Sequence, residues 1–410
     1  MTNPVRLMAP LAWRNLWRRS SRTLITMLAV SIAVASLVVL GSLFRAWGSS
    51  AFDRTVEALT GHGQIHAQGF LDDPTVEHAM LFPSGMLATA LSGPTVAAWA
   101  PRVVAPGLIR SERESAPITL YGIDPGREPT VSFLKPTVVQ GAYFNDATDA
   151  GLVMGRLLAD RLQVELGRRV VISAQSVNGD IAEIGARVIG FYRGQPDLQK
   201  YAVFLPISKV QALLGLKDRI SEIAFLAPRR DAIEAAKKTL SAAAPELDVR
   251  AWDTLQPFAK GMVDLAEGTN AIWVAVSFVL VAFGLINTLV LAVFERMREF
   301  GLLQALGMKP VLLLTQVLLE STYLVSLGTL IGAVVGASVV RSLAGGLHLG
   351  SLGIGAEMFG ASQTLYPELD AGQLAFACGV VVGLSILASL YPAFQAARRV
   401  PIDILTRAQT

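Results

Sequence analysis

The sequence predicts an α-helical membrane protein with four transmembrane helices and a large α/β extracytoplasmic domain inserted between the first and the second. Three observations lead there. The 410 residues are 52% hydrophobic and only 16% charged, well below the roughly 25% charge of soluble domains. Four uncharged stretches, 23–44, 268–294, 321–340 and 371–397, each reach the ~20 residues that cross a hydrocarbon core of about 30 Å at about 1.5 Å per helical residue. Between the first two lies a long insertion rich in charge and proline, its basic and acidic residues nearly balanced. A net charge of +3 leaves too little excess for a nucleic-acid binder, whose affinity comes from neutralising phosphates. The single cysteine, Cys378, excludes an intrachain disulfide and a cysteine-held zinc or iron–sulfur centre.

Taken in order, residues 1–22 place Trp13, Leu16 and Trp17 on one helical face and Arg14 and Arg18 on another, which predicts an amphipathic helix lying on the cytoplasmic surface. The first span, 23–44, is longer than the 7–15 apolar residues of a cleaved signal peptide and is expected to be retained. The insertion, 45–267, carries β-type runs at 169–174, 186–192 and 201–205 and helical runs at 152–166 and 230–243. Turn signals fall at Asp124-Pro125-Gly126 and Asn178-Gly179-Asp180. The stretch 61–101 is poorer in pattern and is expected to form a second, looser subdomain. The second span, 268–294, leads into a short link, 295–309. The third starts near Leu312 and runs to Val340 with Glu320 inside it, and 343–370 connects it to the fourth, 371–397, and a tail, 398–410.

Orientation follows from basic residues in short flanks, which stay cytoplasmic. Arg6, Arg14, Arg18, Arg19 and Arg22, then Arg296, Arg298 and Lys309, then Arg398, Arg399 and Arg407 all belong inside. The 343–370 loop has Glu357, Glu368 and Asp370 and no Lys or Arg, so it belongs outside. Both termini are therefore expected in the cytoplasm.

The link Glu295, Arg296, Met297, Arg298, Glu299, Phe300, Gly301, Leu302, Leu303, Gln304, Ala305, Leu306, Gly307 and Met308 carries the most chemical information. As a helix it sets Phe300, Leu303 and Leu306 to Gly307 along one side, with its charges in the first turn. An exposed apolar face on a short cytoplasmic helix calls for a partner, lipid or protein. Gly328, Gly332 and Gly336 repeat every four residues, spacing that lets helices approach closely, either within one chain or at a subunit interface. Glu320 is the one acid inside a span, a functional candidate that a structural pairing also explains. His62 and His66 would stand about 13 Å apart on a strand. Even with His78 they fall short of a zinc site's three or four ligands. The glycine-rich 345–360 reads as a flexible connector. No nucleophile–base pair or paired carboxylates stand out, and no G-x-x-x-x-G-K-[ST] phosphate loop occurs. No metal, cofactor or catalytic role is expected of this chain.

The run from Glu295 to Met308 resembles the segment that ends the second span in FtsX-like permeases, the MacB and LolC/LolE type of ABC transporter subunit. The end of the fourth span, Leu390-Tyr391-Pro392-Ala393-Phe394-Gln395-Ala396-Ala397-Arg398-Arg399-Val400-Pro401, is similar to that family's closing pattern, as is the path from Gln316 through Glu320 to Gly332 and Gly336. Thr60-Gly61-His62-Gly63-Gln64-Ile65-His66, Tyr121-Gly122-Ile123-Asp124-Pro125 and Gly155-Arg156-Leu157-Leu158-Ala159 resemble the lipoprotein-releasing LolC/LolE branch more than the MacB branch. The resemblance implies that Glu295, Arg296, Arg298, Glu299, Phe300, Gly301, Leu302, Leu303, Gln304, Ala305, Leu306 and Gly307 form a coupling helix seated in a cytoplasmic ABC ATPase dimer, which binds ATP and Mg. Gln304 stands where many relatives have arginine.

Also implied are a second permease subunit, the same or homologous, a periplasmic carrier or adaptor protein, contact with membrane lipid, and residence in a bacterial inner membrane. The cargo would be a lipoprotein, its acyl chains near Leu37, Val38 and Phe44. The alternatives are MacB-like efflux with an adaptor and outer-membrane channel, and a non-transporting relay controlling a periplasmic hydrolase. Sparse charge in the spans disfavours a secondary transporter.

Overall fold

Helix α1, Pro4–Leu16, is followed after a turn by α2, Ser20–Thr55, a helix of 36 residues. At about 1.5 Å per residue α2 is about 54 Å long, well beyond a hydrocarbon core of about 30 Å. The structure, a computed structural model, describes residues 4–18, 20–146, 149–295, 297–350 and 364–398. It divides into two units, Met1–Ser50 with Met262–Thr410, and Ala51–Gly261.

The second unit continues with β1 (Gly63–Ala67), β2 (Met80–Leu81), α3 (Gly85–Leu91), β3 (Ala98–Arg110) and β4 (Ser115–Ile123). Next come β5 (Val138–Gly141), β6 (Gly151–Gly155), α4 (Arg156–Leu162), β7 (Arg169–Gln175) and β8 (Ile181–Tyr192). Then follow α5 (Pro196–Tyr201), β9 (Ala202–Pro206), α6 (Ile207–Leu214), β10 (Arg219–Ile220), β11 (Glu222–Leu226), α7 (Ile233–Ala243), β12 (Leu247–Ala251) and α8 (Trp252–Leu255). Ten strands form one sheet in the order β12-β1-β11-β3-β4-β9-β6-β8-β5, with β7 bridging β3 and β8. The β4–β9 and β6–β8 pairs are parallel and the others antiparallel.

Two expectations change here. The helix expected over 152–166 is strand β6 followed by the shorter α4. Every residue of β6 is buried, and a continuous apolar run flanked by glycines cannot be told from a buried helix by period alone. Residues 61–101 are no separate subdomain, because β1 pairs with β11 and β12 and β3 pairs with β11 inside the main sheet. Their partners lie far off in sequence, where local pattern does not reach. Side chains of Leu59, Ile123, Leu134, Val153, Tyr192 and Phe204 pack into one core of this unit.

In the first unit, α9 (Pro257–Glu295), α10 (Met297–Ala305), α11 (Pro310–Leu343) and a last helix, Ala371–Arg398, follow. Val30, Val34, Leu37 and Val38 of α2 share a core with Val281 of α9, Leu324, Val325 and Val340 of α11, and Val381 of the last helix. Among the described residues three helices are long and apolar enough to cross a membrane, over Thr23–Thr55, Pro257–Gly284 and Pro310–Leu343. The last helix carries only the shorter apolar stretch Leu374–Leu390, so these helices establish three candidate spans where four were expected.

Helix boundaries also outrun the expected spans. Arg45, Asp53 and Arg54 lie on α2, and Lys260, Asp264 and Glu267 on α9, because charge ends an apolar run without ending a helix. On α1, Met8, Ala12 and Leu16 form a buried stripe, while Trp13 and, just past its end, Trp17 are 45% exposed. Trp13 meets Tyr323 of α11 edge-on at 5.8 Å. Arg296, residues 351–363 of the loop expected outside and residues 399–410 of the tail lie outside the described residues.

Candidate functional site

The link expected to couple is a helix with two different apolar faces. Glu295 ends α9, and α10 begins at Met297 with Arg298 and Glu299 in its first turn. Its C-terminus closes as a Schellman motif. The amide of Met308 donates to the Leu303 carbonyl (2.9 Å) and that of Gly307 to the Gln304 carbonyl (3.0 Å). Gly307 has φ 97°, a left-handed conformation that glycine adopts without a Cβ clash. Pro310 then opens α11 at a position where its missing N–H has no intrahelical partner to lose.

Phe300, 3% exposed, packs with Leu313 and Val317 of α11, and Met297, Leu303 and Met308 flank them. This corrects the single stripe of Phe300, Leu303 and Leu306 expected from the sequence. Phe300 and Leu303 are turned onto the chain's own α11, whereas Leu302 (65% exposed) and Leu306 (78%) stand outward, with Val311 exposed as well. The i, i+4 spacing of Leu302 and Leu306, and of Leu313 and Val317, carries this division. Ala305 is exposed, and Gly301 and Gln304 are half-buried. Glu299 reaches Arg18 at 3.8 Å across two exposed side chains.

Gly328, Gly332 and Gly336 line the face of α11 that meets α2. A Cβ at Gly332 would come within 2.5 Å of the Ser31 carbonyl, at Gly328 within 2.9 Å of Val30 Cβ, and at Gly336 within 2.9 Å of Val38 Cβ. Ser31 Oγ lies 3.0 Å from the Gly328 carbonyl across this contact and 2.7 Å from the Met27 carbonyl of its own helix, so its one proton serves both acceptors. The partner of the glycine face is thus within the same chain. Glu320 is half-buried on α11 beside buried Gln316 and Ser321.

Sequence reasoning missed a buried ionic cluster in the second unit. Arg102 is 0% exposed. Its Nε and Nη2 hold the two oxygens of Glu128 (2.9 and 2.7 Å), and its Nη1 reaches Glu222 Oε1 (2.9 Å). Nη1 also donates to the Leu59 carbonyl. His66 Nε2 stands 3.7 Å from Glu222 Oε2. Burial alone would lower the Arg102 pKa, but Glu128 and Glu222 reverse that and raise it. Burial would likewise raise that of Glu222, but His66 and Arg102 overturn it and hold the carboxyl below its usual range. The signal lay in strand register: Arg102, Glu222, His66 and Asp248 are successive cross-strand partners on β3, β11, β1 and β12, and pairing is not legible from one strand.

Two family models cover most of the chain. Residues 23–243 match the MacB-like periplasmic core domain, and residues 271–401 match the FtsX-like permease C-terminal region. The chain belongs to the FtsX-like permeases of the MacB and LolC/LolE type. Among the relatives of this permease is the "Lipoprotein-releasing system transmembrane protein LolC" of Neisseria meningitidis serogroup B, 23% identical over 93% of both chains. The "Lipoprotein-releasing system transmembrane protein LolE" of Haemophilus influenzae is 21% identical over 97% of this chain and 98% of its own. The "Macrolide export ATP-binding/permease protein MacB 2" of Aeromonas hydrophila is 23% identical over 94% of this chain, which spans 58% of that protein. The solved periplasmic region of MacB from Actinobacillus actinomycetemcomitans covers 48% of the permease at 17% identity and a TM-score of 0.35.

Proposed function

We propose that this permease is the membrane subunit of an ABC transporter in a bacterial inner membrane, with both termini cytoplasmic and four spans. In this reading α10 seats on a separate ATPase dimer that binds ATP and Mg, and two permease subunits offer the two seats. Closure of the motor moves the helices and, through them, the extracytoplasmic unit, without passage of cargo through a polar pore. One observation carries this: α10 presents Leu302 and Leu306 outward while Phe300 and Leu303 fasten it to α11. A push on the outward face is therefore delivered to a spanning helix rather than absorbed by a loose loop.

The cargo favoured is a lipoprotein handed to a periplasmic carrier, supported by the LolC and LolE relatives matching over nearly their whole lengths. Efflux with an adaptor is the second reading, supported by the MacB relatives. The test of coupling is Leu302→Asp with Leu306→Asp. The double variant should keep a folded permease, since both side chains already face outward, yet lose ATPase copurification and ATP-dependent transport. Retained association with full transport would refute the coupling role. Reconstitution with a labelled lipoprotein decides the cargo: ATP-dependent release supports the first reading, and its absence removes it.

A further inference from the structure

Helix α2 does not end in an ordinary cap. Residues Val56–Thr60 form a π-helical turn, in which the Gly61 amide donates to the Val56 carbonyl at 3.2 Å. Within it Leu59 has φ 77°, a left-handed backbone that a bulky residue adopts only when its surroundings impose it. Two holds impose it. The Leu59 side chain, 4% exposed, is sunk in the core with Ile123, Tyr192 and Phe204, and its carbonyl accepts from Arg102 Nη1.

Arg102 in turn belongs to a row that crosses four strands. Its register partner on β11 is Glu222, that of Glu222 on β1 is His66, and that of His66 on β12 is Asp248. Glu128 closes the other side of the guanidinium in a bidentate pair. The contacts of Arg102 are unequal in one respect. Those to Glu128 and Glu222 are charge-assisted and stay intact if the Leu59 carbonyl lets go, so the contact to the π turn can open without stranding a buried charge.

We infer that the Leu59–Arg102 contact is a mechanical joint, through which displacement of α2 enters the ten-stranded sheet. This rests on the coupling reading above and names where that movement is received. Because α2 is one continuous helix from Ser20 to Thr55, a shift along its axis arrives at the π turn. There the helix can gain or lose its extra residue per turn while the ionic row keeps the strands in register. π turns inside or ending long helices recur at functional sites.

The test uses the full-length permease with its ABC ATPase in nanodiscs, followed by hydrogen exchange. Arg102→Lys keeps the charge but loses the planar fork that serves Glu128, Glu222 and Leu59 together. Amides 57–61 should exchange at least tenfold faster, and those of β3 and β4 within twofold of wild type. The ATP-induced change in exchange across Ala51–Gly261 should fall at least fivefold while ATP hydrolysis stays within twofold. Should Arg102→Lys not fold, Leu59→Gly serves instead, because it relaxes the left-handed backbone and withdraws the side-chain anchor. Unchanged exchange at 57–61, or full transmission of the ATP response in the variant, overturns the joint. If the wild type itself shows no response to ATP, the coupling reading falls, and exchange at 57–61 alone decides for or against the joint.

Discussion

The two units of this permease solve the same packing problem with opposite materials. In the membrane unit α2 and α11 are brought together by what is missing, the Cβ atoms of Gly328, Gly332 and Gly336, and one hydroxyl, Ser31, bonds across the contact. In the Ala51–Gly261 unit, full charges are taken into the core around Arg102. The difference follows from the solvent. Lipid offers no hydrophobic drive to push helices together, so close backbone approach supplies the dispersion contacts. A sheet that folds in water has that drive, and it can bury ions provided every one is paired.

The contrast can be broken from either side. The largest effect is expected for Gly332→Leu, which places a side chain where even a Cβ meets the Ser31 carbonyl. Overpacking of this kind commonly costs about 1–3 kcal/mol and at backbone contact more. The expected outcome is loss of the monodisperse peak in detergent, and a normal peak would show that α2 and α11 can separate freely. Next comes Glu128→Ala, which leaves Arg102 without its bidentate partner at 0% exposure. Breaking a buried pair costs about 3–5 kcal/mol. A thermal melt of the full-length protein should show the drop, and an unchanged melting temperature would show that Arg102 does not depend on Glu128.

A pH series sharpens the ionic half. The Glu222 carboxyl is held below its ordinary value of 4.5, so the stability it contributes is fully present above that value and lost as pH falls through the folded-state value beneath it. The melting-temperature gap between wild type and Glu222→Gln should stand at pH 7 and close as pH falls below about 4.5. A gap that instead widened in acid would reverse the assigned sign. The smallest effect belongs to Arg18→Ala. The pair with Glu299 spans 3.8 Å between side chains 67% and 50% exposed, and such surface pairs contribute about 0–1 kcal/mol. No shift beyond half a degree or so is expected at physiological salt, where screening is strong.

Legibility in the sequence followed how local each signal was. The β7 and β9 strands and the second half of β8 were readable from short runs of β-type residues bounded by turn or helix signals, and the glycine spacing on α11 from its period. The 152–166 stretch failed because Gly151–Gly155 is buried on both faces and shows no alternation. The 295–308 link was read as a helix, as α10 is, but turned wrongly as a face. Periodicity groups Phe300, Leu303 and Leu306, yet only the presence of Leu313 and Val317 on α11 decides that the first two turn inward. Arg102, Glu128 and Glu222 went unnoticed, since each looks like an ordinary charged residue until strands far apart in sequence are set side by side.

By itself the sequence determined that the chain is a membrane protein with an inserted α/β region, that the glycine face at 328, 332 and 336 lets some helix approach closely, and that the 295–309 link is helical. All of these rest on composition or on periods of two and near four, which a chain carries along its own length. Tertiary structure alone decided which leucines of that link remain outward, which helix the glycines face, and that Arg102 holds the Leu59 carbonyl in the π turn that follows α2. Those are relations between segments distant in sequence, and they exist only once folding has brought the partners together.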